Sequence, residues 1–235
     1  MRKSLIGLLF ISCLTYGQNS NFRRFDFSQV LMLNKDYGCD GLFDSACYRI
    51  QIHFGSIIKD LIDPQIYHIS GEDRLKKLIT PFDGYIKINK IIVHKGNVYA
   101  PDKPDKIKLV EVFGEYKFYE TDTIKNSGYF FGNLYFKVHL LQSGKIVDDL
   151  EEWEVDGFSN DIFDGFWVNY KTCKKKVCIW GFGRYTKFNN ALQGDGEVMI
   201  NPKFEKNGWQ IDKFGNYIDD IKKWWLKNKE GKKVK

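Results

Sequence analysis

Two adjacent stretches, IKLVEVFGEYKFY at 107–119 and YFFGNLYFKVHLL at 129–141, decide the fold class. Each is rich in aromatic and β-branched residues and lacks the 3.6-residue spacing of an amphipathic helix. Nine residues separate them, all but Ile124 polar or turn-forming, among them Asn126, Ser127 and Gly128. Strands of this kind recur on either side. Residues 85–89, 146–155, 166–170, 177–185 and 197–200 carry the same signature between Gly, Asn and Ser breaks. Short strands in unbroken succession exclude a parallel sheet with crossover helices. They predict a mostly β protein: an antiparallel meander, barrel-like or a curved sheet.

Glycines punctuate this series. Gly84, Gly132, Gly165 and Gly196 each precede a turn by eleven or twelve residues, at Lys95-Gly96, Ser143-Gly144, Lys175-Lys176 and Asn207-Gly208. The unit this cadence predicts is a β-hairpin opened by glycine. Its starts are unevenly spaced, which favours a meander with insertions over a regular array.

Before this region the signals are mixed. Tyr48, Ile50, Ile52 and Phe54 alternate with polar residues and predict a strand. Ser70-Gly71-Glu72-Asp73, followed by Leu75, Leu78 and Ile79, predicts a short N-capped helix stopped before Pro81. After the strands, Asn216, Asp219 and Asp220 lead a helical spacing of Tyr217, Ile221, Trp224 and Trp225 that runs into lysines. The expected organisation is a signal peptide at 1–17, an α/β lead-in at 18–80, an antiparallel β domain at 81–213 and a C-terminal helix with a basic tail at 214–235.

The leader reading rests on Arg2 and Lys3, the apolar run from Leu5 to Leu14, and the small residues Thr15 and Gly17 before Gln18. The run is half the length of a membrane-spanning helix, so export with no transmembrane span in the mature chain is expected. Phe10-Ile11-Ser12-Cys13 offers the alternative of lipid anchoring at Cys13. Either way the destination is the periplasm, the cell surface or the exterior. Net charge is +6, of which the leader supplies two charges, and lysines crowd the C-terminus. So modest a surplus on an exported chain argues against nucleic acid. In an oxidising compartment the four later cysteines are expected to pair locally, Cys39 with Cys47 and Cys173 with Cys178, the latter across a turn at Lys175-Lys176.

Neither a Gly-x-Ser-x-Gly elbow, a phosphate loop nor a His-x-x-x-His pair occurs in the sequence. No cofactor is implied. Asp36, Asp40 and Asp44 do not follow the alternating spacing of a calcium loop, and the cysteine spacings do not suit zinc, so no metal is expected. Trp180, Phe182 and Arg184 share one side of a strand with Gly181 and Gly183 opposite, and with Trp167 and Tyr185 they form the expected ligand contacts. An apolar ligand, a glycan, a lipid or an envelope protein would suit them. The function this supports is an exported binding or interaction module, with no assigned catalytic residue. A glycan-acting hydrolase is the alternative, using two acids among Glu152, Glu154, Asp156 and Asp164 beside aromatic rings. A secreted inhibitor or structural component is the third.

Overall fold

The computed structural model describes residues 22–31, 38–97, 107–148, 159–183, 192–194, 196–210 and 224–225. Long antiparallel strands dominate it: β1 (Cys39–Phe43), β2 (Tyr48–Lys59), β3 (Ile66–Leu75), β4 (Leu78–Val93), β5 (Lys108–Glu120), β6 (Gly128–Leu140), β8 (Ser159–Asn169) and β9 (Lys175–Gly183). Each pairs with the next in this order, β6 passing directly to β8, and β9 returns to pair with β1. The result is a closed, eight-stranded, up-and-down barrel. A short extra strand, β7 (Ile146–Asp148), hangs on the edge of β6, and β10 (Gln193–Gly194) and β11 (Gly196–Ile200) form a separate small ribbon.

Strand alternation fills the interior with rings. Phe54, Phe82, Tyr116, Phe118, Phe130, Phe163 and Trp180 are fully buried and touch one another, with Trp180 stacked on Phe163 at 5.1 Å between centroids. One end is stoppered by residues 22–31, which include the helical turn α1 (Ser28–Leu31). There Phe25, Phe27 and Leu31 enter the core, Phe27 meets Phe136 edge-on at 5.3 Å, and Lys59 Nζ donates to the carbonyls of Phe22 and Phe25. The other end is polar inside, with Asp73, Thr80, Glu120, Ser127 and Asn169 all buried.

Part of the outer wall is clothed as well. Trp209 is buried against Leu42, Cys47, Leu192 and Ile200, and its Nε1 donates to the Cys47 carbonyl at 2.8 Å. Trp225 stacks on His53 of β2 at 4.3 Å, and the Arg74 guanidinium of β3 lies over Trp224. These two tryptophans are the only described residues of the expected C-terminal helix. The rest of it lies outside the described residues, as do the leader and the basic tail.

Several expectations are corrected. Residues 70–79 are not helical: β3 continues to Leu75, turns through Lys76 and Lys77, and returns as β4 from Leu78, which pairs with Leu75. The capping pattern was read from Ser70 to Asp73, yet Tyr67, Ile69 and Asp73 alternate into the barrel as a strand requires. Residues 39–80 are therefore part of the barrel wall. Gly84, Gly132 and Gly165 lie within strands instead of opening hairpins, and Lys175-Lys176 belongs to β9, the turn falling at residues 170–174. Because of that shift Cys178 faces the core opposite Gly165 while Cys173 sits exposed in the turn. Cys39 pairs across with Ile52 whereas Cys47 lies beyond the other end of β1, next to the Phe43–Tyr48 pair. None of these four thiols is bonded to another.

Candidate functional site

The expected contact residues do not form one surface. Trp167 and Trp180 are buried, at 7% and 1% exposure, because their alternation points inward. Trp167 Nε1 donates to Glu120 Oε2 at 2.9 Å inside the barrel. Phe182 is half-buried, and Arg184 and Tyr185 lie outside the described residues. Of the expected acids, Glu152, Glu154 and Asp156 also lie outside them. Asp164 faces outward and does line a cavity.

That cavity is a groove of about 480 Å³ on the outer wall of β4, β5, β6 and β8. Strand register orders its lining into rows. Glu115, Asn133 and Asp164 stand side by side on three neighbouring strands, and the next row along the same face is Tyr85, Lys117, Phe131 and Phe166. Phe131 and Phe166 lie 5.9 Å apart with their planes inclined at 33°. Beyond them Tyr119, Tyr129 and Tyr170 continue the aromatic surface, each ring about 6 Å from the next.

The floor is glycine. Gly132 and Gly165 face each other across β6 and β8, where a Cβ on Gly132 would stand 2.6 Å from the Gly165 Cα. A Cβ on Gly165 would stand 2.7 Å from the Tyr116 hydroxyl oxygen, which occupies the space on the inner side. With no side chains to hold it off the core, the wall sits directly on Tyr116. The outer surface above it is concave.

Cations edge the rings. Lys175 Nζ lies 3.6 Å from the Phe166 centroid and 5.2 Å from that of Phe131, and Lys117 Nζ lies 5.1 and 5.0 Å from Tyr119 and Tyr129. Its contact with the Tyr119 hydroxyl holds the Lys117 ammonium above the usual lysine range. Tyr170, whose hydroxyl donates to the Glu120 carbonyl at 3.0 Å, is pushed up to about 12, chiefly by burial. Both groups therefore keep their charge states across the physiological range.

Asp40 and Asp44, whose spacing does not suit a calcium loop, hold cationic side chains. Asp40 takes both fork nitrogens of Arg49 at 2.8 Å, and Asp44 takes Lys176 at 2.8 Å. Among the described residues no group of three His, Cys, Asp or Glu is placed to hold a metal ion. No described helix is long and apolar enough to cross a membrane.

Tyr85, Glu115, Lys117, Phe131 and Asn133 were missed from sequence. A signal existed in β6, where Tyr129, Phe131 and Tyr135 are aromatic on the face opposite the buried Phe130, Leu134 and Phe136. A strand apolar on both faces, in a barrel whose inside is already full, has something to cover outside. Compared with protein-family models, curated proteins and solved structures, the chain matches none of them.

Proposed function

We propose that the protein is an exported, non-catalytic binding module whose recognition site is the glycine-floored groove, and that its ligand is a glycan. The observation that carries this reading is the pairing of two rows on one concave face. The rings of Tyr85, Phe131 and Phe166 offer surfaces for the apolar face of a sugar, and Glu115, Asn133 and Asp164 offer hydrogen-bonding groups for its hydroxyls. The leader-like start of the chain supports export.

The test is titration calorimetry of the protein against a panel of neutral and acidic oligosaccharides. Saturable binding is expected, weakened about tenfold or more in Phe166→Ala through loss of one stacked ring, consistent with a contact of 1.4 kcal/mol or above. A folded protein that binds no member of the panel ends the glycan reading.

A hydrolase is the second reading, favoured by one feature: Glu115 and Asp164 flank Asn133 in a single row, with one strand between their own strands. Two carboxyls spaced across a sugar site are the minimum for glycosidic cleavage. Release of new reducing ends from a bound oligosaccharide, abolished in both Glu115→Gln and Asp164→Asn, would replace the binding module with this enzyme.

A further inference from the structure

The β2–β3 hairpin ends in Asp60-Leu61-Ile62-Asp63-Pro64-Gln65, and Leu61 is 98% exposed and Ile62 89%. A loose loop would fold such side chains back onto the protein. This loop is held open. Asp60 Oδ1 accepts from the backbone N–H groups of Ile62 and Asp63, both at 2.8 Å, and Asp60 Oδ2 meets His68 Nε2 at 2.8 Å. Asp63 Oδ1 accepts from the Gln65 N–H at 3.1 Å, and backbone bonds link Asp60 to Ile66 and Ile66 to Asp63. The His68 contact and the two N–H donors keep the Asp60 carboxyl down at about 2, so the apolar tip is rimmed by permanent negative charge. Two side chains are too little apolar surface to anchor a protein in a bilayer, where even one acyl chain is marginal, and the carboxylates oppose insertion. A pre-shaped apolar knob with an acidic rim fits a protein surface with an apolar hollow and a basic rim.

The chain itself carries an apolar hollow with cations on one side, the ring end of the groove where Lys117 and Lys175 stand, while Glu115 and Asp164 lie one row away. Pairing register places Ile58, His68, Tyr85, Lys117, Phe131, Phe166 and Val177 in one outward row across six strand junctions, so the base of the knob and the groove lie on a continuous belt. Ile58 and Val177, at its two ends, are 62% and 46% exposed. Lys117 and Lys175 stand at the rings of the groove, opposite in sign to Asp60 and Asp63.

We infer that the protein forms a two-fold dimer in which the Leu61–Ile62 tip of each copy seats on the Phe131–Phe166 groove of the other, Asp60 and Asp63 facing Lys117 and Lys175. Such an interface is self-complementary, each copy giving one knob and one hollow. The inference rests on the groove being a recognition surface, and it makes dimerisation a regulator of that surface: sugar and neighbour compete for the same rings.

Sedimentation velocity over a dilution series from millimolar to low micromolar tests it. The wild type is expected to be dimeric at the concentrated end, and Leu61→Asp combined with Ile62→Asp to be monomeric throughout while melting at the same temperature, since both positions are in water. Lys117→Glu, which leaves the knob intact, is expected to weaken association tenfold or more. A wild type that stays monomeric at millimolar concentration overturns the inference, as does a dimer indifferent to the tip pair. An oligosaccharide that occupies the groove without dispersing the dimer also overturns it. A dimer that requires both the tip pair and Phe166, in a protein that binds no sugar, upholds the inference and removes only the glycan ligand.

Discussion

The residue with the most at stake inside the barrel is Trp180. Its indole stacks on Phe163, meets Phe130 edge-on at 5.6 Å and approaches Tyr116 at 5.0 Å, and it is 1% exposed. Trp180→Ala is expected to cost about 3–5 kcal/mol, the range for emptying a large aromatic site, and chemical denaturation would measure it. Ligand affinity in the surviving folded fraction should be unchanged. Asp73 raises a different question, since it is 2% exposed and its Oδ2 has no hydrogen-bond partner. Burial pushes its carboxyl well above the usual range, and the neighbouring Glu120 adds to the rise; Glu120 is itself raised by burial. The folded barrel thus keeps a proton that the unfolded chain releases near pH 4, so this group's contribution to stability is greatest below that pH and falls as pH climbs towards the folded value. Asp73→Asn is expected to flatten that fall and to melt higher than the wild type at neutral pH. Thermal melts from pH 4 to pH 8 would decide; a mutant with the wild-type slope would place the proton elsewhere.

Elements explain where the groove lies. The outer faces of β1, β2 and β3 are covered in part, at Leu42, His53 and Arg74, by Trp209, Trp225 and Trp224, whereas those of β4, β5, β6 and β8 carry the open aromatic rows. The glycine pair belongs to this level, because its effect is on how two strands pack. Gly165→Ala is expected to destabilise the barrel, as its methyl group would press on the Gly132 Cα and the Tyr116 hydroxyl, each 2.7 Å from its position. A variant that still folds should have a shallower groove and weaker sugar binding, measurable by calorimetry against the wild type. Most strands were legible because alternation and turn residues are local properties: 107–119 and 129–141 were located almost to the residue. What failed was what depends on partners far away. The helix expected from Ser70 to Ile79 failed because Asp73, a residue that looks like a cap, is a buried strand position between Ile52 of β2 and Thr80 of β4. The Cys173–Cys178 pairing failed because the hairpin turns earlier, at an Asn169 whose side-chain oxygen accepts from the N–H groups of Lys171 and Thr172. Trp167 and Trp180 looked like ligand contacts because a strand has two faces and a sequence does not say which one is inside.

At the scale of the whole molecule, the wall is a meander in which every junction but one joins strands that are near in sequence. The exception is the seam between β1 and β9, where Asp40 to Phe43 meet Gly181 to Cys178. Aromatic packing within the barrel depends on that closure, since Phe54 of β2 touches Phe163 of β8 across the interior. Hydrogen exchange is therefore expected to show β1 and β9 protected to the same degree as the central β5 and β6, opening only with global unfolding. Early exchange confined to the seam would describe a barrel that breathes open there.

That seam also sets a schedule for the newborn chain. The first strand to leave the ribosome finds its second neighbour only when the last strand of the wall has been made, some 140 residues later by the Asp40–Gly181 pairing. Until then every intermediate is an open sheet with a raw edge and a half-exposed core, too costly to persist as a finished fold. By this topology the closed wall is late to form.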